Sequence, residues 1–592
     1  MKDFMKYTLA TIVGLLAFSI ISGIITVVSM AGIMASESTA SVVDDNSILR
    51  INLSGYIEER SESDPMSFLL SGNSESLALD EMVLSVQKAA TNDKIKGIYL
   101  EGGSLAANSA SAQEFRQALL DFRKSGKFII AYGDIYTQQA YYICSAADTV
   151  LLNPEGILDW HGLSSQPIFY KEAMEKLGVK MQVFRVGSFK SAVEPFTNTE
   201  MSEANREQVT SYLNSIWGQM VADVAKSRKI KPETLNALAD SLMTMRPAKA
   251  ALEAKMVDRL VYLDEVKSML RHKMGCEEDD KLTFASVRDV AKAQDVLDVK
   301  DKKVAVYYAY GNIVDDFQGY SPLNGNGPTF APDKVNTDLQ DLADNDEIAA
   351  VVIRINSGGG SAYASEQIWR QVELLKEKKP VVVSMGGVAA SGGYYISSGA
   401  HKIFAEPTTL TGSIGIFGMV PDASELLTQK LGLHSDVVKT NAMSDFGGGL
   451  RALNAEECAM MQARVNRGYE TFVGRVALGR KMKVDDVKAI AEGRVWTGEQ
   501  AKKIGLVDEL GNLNDAVKAA AKLAKCDEYN VARYPEAEPW WTSLLNKDAG
   551  SGYLESQLRA TLGDYYTTFG LLRQLKSQNP IQASIMFDPN IK

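Results

Sequence analysis

The chain has 592 residues, 45% of them apolar and 23% charged, proportions that exclude wholesale disorder and collagen-like repeats. Its net charge of −11 argues against a general nucleic-acid binder, which carries a basic surface. Cys144, Cys276, Cys458 and Cys526 lie far apart without Cys-x-x-Cys spacing, so neither a disulfide framework nor a zinc site is expected.

The first 46 residues read as a cytoplasmic stub, a transmembrane signal anchor and a linker. No charged residue occurs from Tyr7 to Ser36, and Leu9–Met34 is strongly apolar. As a helix this run would measure about 39 Å, against roughly 30 Å for the hydrocarbon core of a bilayer. It exceeds the apolar region of a cleavable signal peptide. Lys2 and Lys6 precede it, while Glu37, Asp44 and Asp45 follow, so the N-terminus is expected in the cytoplasm and the body outside it.

The body is a repeat. Residues 92–99, NDKIKGIY, correspond to residues 345–352, NDEIAAVV, at an offset of 253. Ala140-Tyr-Tyr-Ile-Cys-Ser145 corresponds to Gly393-Tyr-Tyr-Ile-Ser-Ser398 at the same offset. A period this long marks a duplicated domain and not a solenoid. The units are placed at 47–275 and 302–525, separated by a charged connector, 276–301, and followed by a tail, 526–592, without a counterpart. Strands are expected at Ile98–Leu100, Phe128–Tyr132 and Thr149–Leu152, then at Val304–Tyr308, Val351–Ile355, Pro380–Ser384 and Lys402–Phe404. A helix from Ser202 to Lys226 places Val209, Leu213, Ile216, Trp217, Met220 and Val224 on one face. Its counterpart starts at Asn454, with Glu457 at the capping-box position. Strands alternating with helices predict an α/β fold.

The chemistry lies where the units differ. In the second, a buried strand leads into Ile355-Asn-Ser-Gly-Gly-Gly-Ser361, whose glycines can turn backbone N–H groups toward an anion or serve simply as a flexible turn. Gly386-Gly-Val-Ala-Ala-Ser-Gly-Gly-Tyr394 surrounds Ser391 with small residues. They leave the hydroxyl accessible to a carbonyl, or fit the start of a closely packed helix. No Gly-x-Ser-x-Gly pentapeptide surrounds it, which disfavours an α/β-hydrolase. A serine nucleophile needs a base, and no histidine in the second unit has an obvious partner. In the first unit, Lys190 sits among small and apolar residues in Phe184-Arg-Val-Gly-Ser-Phe-Lys-Ser-Ala-Val-Glu-Pro-Phe196. A lysine can act as a base only if burial lowers its pKa from about 10.4. Ser391 maps onto Gln138, and Lys190 maps onto about Ser444, so each unit keeps one catalytic group and lacks the other.

Val186–Phe196, Ala389-Ala-Ser-Gly-Gly-Tyr394 and Leu410-Thr-Gly-Ser-Ile-Gly-Ile-Phe-Gly418 resemble the signal peptide peptidase A (protease IV) family in its long, tandem-domain bacterial form. The resemblance covers about residues 1–530. It implies two tandem crotonase-like (Clp-protease-like) domains and a Ser/Lys dyad, with Ser391 as nucleophile and Lys190 as general base. It also implies an oxyanion hole from Gly359 and Gly392, and Ser413 as a residue orienting the lysine. The family loop usually reads Asn-Ser-Pro-Gly-Gly, whereas this chain has Gly358 in place of the proline. The substrates implied are cleaved signal peptides left in the bacterial inner membrane, the enzyme being a single-pass, periplasmic homotetramer held to lipid by its N-terminal helix.

No metal or organic cofactor is expected, because His-Glu-x-x-His, clustered His/Cys and Walker-type sequences are absent. Two other readings stay open on sequence: an acyl-CoA enzyme of the same fold, and a non-catalytic membrane scaffold.

Overall fold

The computed structural model describes residues 43–60, 77–293, 300–316, 328–536 and 581–585, together with six isolated positions before residue 23. The expected anchor, Leu9–Met34, lies almost wholly outside these residues. Among the described residues no helix is long and apolar enough to cross a membrane.

In the first unit β1 (Ser47–Glu58), β2 (Ile95–Ala106), β3 (Phe128–Tyr136) and β4 (Thr149–Leu158) lie side by side in that order, all parallel. Ile98, Tyr99 and Leu100 are buried in succession, as expected of strands covered on both faces. The helix α1 (Gln138–Cys144) follows β3. The next strand, β5 (Lys180–Arg185), leaves this sheet. Then comes α2 (Glu203–Arg228), with Ser202 as N-cap. Its buried residues are Gln208, Tyr212, Ile216, Met220, Val221 and Val224, whereas Val209, Leu213 and Trp217 are only half-buried. The buried stripe therefore begins on a glutamine, for a reason found at the site.

The charged stretch 276–301 is more than a linker. Thr283–Ala285 pairs with Ser47–Leu49 of β1, and the helix Val287–Lys292 buries Val290 and Ala291. Its charges face outward and conceal two short elements of the first unit.

The second unit supplies β6 (Lys303–Tyr310), β7 (Ile348–Ser357), β8 (Gly359–Ser361), β9 (Val381–Ala390), β10 (Lys402–Ala405), β11 (Leu410–Gly412) and β12 (Phe417–Asp422). The tail adds β13 (Asn530–Tyr534) and β14 (Ile581–Ser584). One sheet runs β11-β9-β7-β6-β13, with β10 also beside β9. A third sheet contains the consecutive strands β8-β14-β12-β5 and so draws on both units and the tail. The helix α3 (Gly392–Ser397) answers α1, and α4 (Ala455–Arg480) answers α2, with the Asn454/Glu457 capping box in place. The duplication extends to single hydrogen bonds. Tyr141 Oη donates to Met256 O at 2.9 Å, and Tyr394 Oη donates to Leu506 O at 2.8 Å.

β9 continues six residues beyond the expected end at Ser384. Gly386 and Gly387 do not break it, because they lie where neighbours approach closely. A Cβ at Gly387 would stand 2.5 Å from Asn108 Cγ of the first unit, and one at Gly386 would stand 3.0 Å from Asn356 Cβ. The units are also joined by buried charge. Arg354 of β7, 1% exposed, pairs with Glu59 and, at 2.7 Å, with Glu114, both from the first unit.

Candidate active site

β9 delivers the chain to Ser391 at its C-terminal end. There the backbone turns sharply, with φ +54° and ψ −113°, and α3 begins at Gly392. Such a conformation costs a non-glycine residue about 1–3 kcal/mol and persists only where surroundings enforce it. The Ser391 N–H donates to Gly412 O, and its carbonyl accepts from Tyr395 N–H, each at 2.8 Å. The flanking glycines are required by space. A Cβ at Gly392 would lie 2.6 Å from Ser365 Oγ, and one at Gly393 would lie 2.6 Å from Ser357 O. Ser391 itself is 0% exposed to solvent. β14 runs against the neighbouring glycines and helps to close the site.

Lys190 arrives from the other unit, on the loop after β5. That loop is seated on second-unit backbone: Phe189 N–H donates to Glu492 O at 3.1 Å, and a Cβ at Gly493 would come within 2.6 Å of Lys190 Cβ. Gln208 fixes it from behind. Its amide donates to Phe189 O at 3.0 Å and to Ser191 Oγ at 2.8 Å, while its oxygen accepts from Val495 N–H at 3.1 Å. Buried Glu194 turns away from the amine and accepts from Ser202 and Asn205 at the start of α2.

The structure thus brings Lys190, Ser391 and Ser413 together. Lys190 Nζ donates to Ser391 Oγ at 2.7 Å, to Ser413 Oγ at 3.1 Å and to Ser413 O at 3.3 Å. Among the described residues no acidic group faces the amine, and the Phe417 ring centroid lies 6.0 Å away. Burial without a counter-charge pulls the Lys190 pKa down to about 7. An amine of that pKa is substantially neutral at physiological pH and can accept a proton from a serine hydroxyl.

Gly359, φ +101°, lies opposite Gly392, so that a Cβ on it would be 2.7 Å from Gly392 N. Its own N–H donates to Ser357 Oγ at 3.1 Å. Sequence reasoning named neither Ser357 nor Gln208. The signal for Gln208 was its position four residues before Tyr212 on a buried stripe, where a polar side chain needs partners. Ser357 carried no comparable signal. Among the described residues no three His, Cys, Asp or Glu side chains are grouped to hold a metal ion.

The sequence profile of peptidase family S49 matches residues 121–277 and 373–527, once in each unit. The chain belongs to peptidase family S49. The Clp protease profile also matches residues 328–410, which span β7, β8 and β9 with Ser391. This S49 chain is 34% identical over 563 residues to Protease 4 of Haemophilus influenzae, covering 90% of its own length and 89% of the relative's. It is 31% identical over 553 residues to the chloroplastic serine protease SPPA of Arabidopsis thaliana, covering 92% and 79%. A putative signal peptide peptidase SppA of Enterococcus faecium is 35% identical over 230 residues, 38% of this chain and 66% of the relative. The S49 chain is therefore a serine peptidase acting on peptide substrates, built from an α/β fold with two tandem S49 regions.

Proposed function

We propose that the enzyme is a Ser/Lys-dyad endopeptidase that degrades signal peptides after their release from preproteins. The observation that carries the reading is the 2.7 Å contact between Lys190 Nζ and Ser391 Oγ in a buried site. Neutral Lys190 takes the Ser391 proton as Oγ adds to the scissile carbonyl carbon. The tetrahedral oxyanion is met by backbone N–H groups of Gly392 and Gly359, the latter exchanging Ser357 Oγ for the substrate oxygen. Lys190 then returns the proton to the leaving amine, and water activated by the same lysine hydrolyses the acyl-enzyme ester. Ser413 holds the amine toward Oγ throughout.

The signal-peptide assignment is supported by the motif resemblance and by an anchor over Leu9–Met34, which would hold the site beside the bilayer on its export side. A single-pass topology in the bacterial inner membrane, a periplasmic body with two crotonase-like units and a homotetrameric assembly belong to the same reading. The test is fluorophosphonate labelling of detergent-solubilised full-length enzyme, followed by cleavage of a synthetic signal peptide. Wild type should be labelled on Ser391 and should cut the peptide. Ser391→Ala should do neither, and labelling elsewhere would reject the nucleophile.

A further inference from the structure

Arg494 touches the seat of the lysine from two sides. It lies on the turn just before the strand Val495–Thr497, which pairs antiparallel with β11, the strand that leads into Ser413. Its carbonyl accepts the Ser413 N–H at 2.7 Å. Ser413 has φ +49°, a conformation that a non-glycine residue keeps only where neighbours enforce it, and this bond is one of the constraints. Ser413 in turn binds the Lys190 amine through both its hydroxyl and its carbonyl.

The side chain of the same residue reaches the lysine loop. The guanidinium carbon stands 4.7 Å from the centroid of the Phe189 ring and 4.5 Å from that of Trp496. Phe189 is the residue before Lys190 and comes from the first unit. Trp496 is anchored, its Nε1 donating to Ile490 O at 3.1 Å. Arg494 Nη2 pairs with Glu207 at 2.9 Å, beside Gln208 on α2. A planar guanidinium stacks on rings in a way that an ammonium does not.

This arginine is held at a cost. Its Nε is buried without an acceptor among the described residues, which lowers stability. Glu207 is 58% exposed, where an ion pair is worth little. The first unit shows what stands here when no lysine has to be held. The helices Ala248–Glu253 and Gly498–Lys503 correspond at an offset of 498 − 248 = 250, which maps Arg494 onto Thr244. Thr244 simply bonds the Asp159 carboxylate of its own unit.

We propose that Arg494 is a positioning residue that sets the Lys190 amine against Ser391, through Ser413 on one side and Phe189 on the other. The proposal rests on the Ser391–Lys190 reading above. Replacing the side chain leaves the carbonyl but removes what fixes it and what holds Phe189. The segment then loosens, water reaches the amine, and the base is protonated more of the time.

Cleavage of a synthetic signal peptide by the full-length enzyme, with fluorophosphonate labelling and urea melts of the same samples, tests this. Arg494→Met should lower kcat by about 30-fold with KM close to wild type. The acid limb of its kcat/KM profile should move up by about half a pH unit from the Lys190 value of about 7, while the urea midpoint stays near wild type. Phe189→Leu should act in the same direction, and the double variant should lose little more than the worse single one, because both remove one contact. Arg494→Lys, which keeps the charge but not the plane, should resemble Arg494→Met. An unmoved acid limb, or a loss of activity matched by a lower urea midpoint, would reduce Arg494 to a structural residue and overturn the proposal. Additive losses in the double variant, or wild-type behaviour of Arg494→Lys, would overturn the route through Phe189. Wild type that fails to label at Ser391 would instead overturn the dyad, and the role of Arg494 with it.

Discussion

The two units place different chemistry on equivalent scaffolds. At the Ser391 position the first unit has Gln138, whose Oε1 accepts from His161 N–H at 3.0 Å and Gly162 N–H at 2.9 Å, while Nε2 donates to Gly162 O at 3.0 Å. At the Ser413 position, 253 residues earlier, stands buried Trp160, with Nε1 donating to Leu235 O at 3.0 Å. The first unit has closed its own site with side chains that satisfy the local backbone. The second leaves three hydroxyl and amine groups facing one another and takes its amine from the first. The comparison teaches that equivalent scaffolds carry packing side chains in one unit and hydroxyl groups in the other, with the Lys190 amine reaching Ser391 across the interface.

The sharpest expected contrast is between serine and glutamine. Ser391→Ala should lower kcat by about 10⁴-fold or more, as for nucleophile loss in other serine peptidases. Adding Gln138→Ser to that variant should restore no fluorophosphonate labelling, because Trp160 fills the place of Ser413 and Lys190 is committed elsewhere. Labelling at residue 138 would show that the first unit keeps a base of its own.

Lys190→Met should reduce kcat by about 10²–10⁴-fold, the usual range for a general base, and should add little to Ser391→Ala. In wild type the base works only when neutral, so protonation as pH falls removes activity. kcat/KM for a peptide should be level above the Lys190 pKa of about 7 and decline below it. A flat profile from pH 5 to 9 would contradict the assignment.

Arg354→Met should destabilise the docked units by about 3–5 kcal/mol in urea melts, since Glu59 and Glu114 lose their buried partner. Its expected mark is a lower midpoint with an unchanged pH profile. Gln208→Leu should have the smallest effect, about a tenfold loss in kcat at pH 7. A loosened Lys190 loop admits water, so the midpoint of the pH profile should move upward, while KM stays close to wild type. Loss of activity without that movement would make Gln208 merely structural.

Much of this comparison was legible in the sequence. The parallel strands read as unbroken apolar runs, such as Val351–Ile355, and the constant offset exposed the split between Ser391 and Lys190. β9 runs past the expected end at Ser384 through Gly386 and Gly387, glycines that a strand normally avoids and that here are close-approach sites. The third sheet was not legible. Its strands are short, come from both units and the tail, and owe their pairing to partners hundreds of residues away. Ile-Gln-Ala-Ser at 581–584 is too brief to show a period. The burial of Ser391 was not legible, because small neighbours reveal room in the chain and say nothing of what surrounds it.

If Lys190 is the base proposed above, the seating of its loop on Glu492 and Gly493 makes activity conditional on the docking of the two units. In a chain whose halves have not yet docked, the lysine is hydrated and remains an ammonium at neutral pH, with its ordinary pKa of about 10.4. Such a chain has a serine but no means of activating it. On that assignment, molecules whose units have not docked are expected to be chemically silent, competence arriving with the completed tertiary structure. An interlock of this kind needs no separate propeptide or inhibitor, because the burial that lowers the amine's proton affinity exists only in the finished molecule.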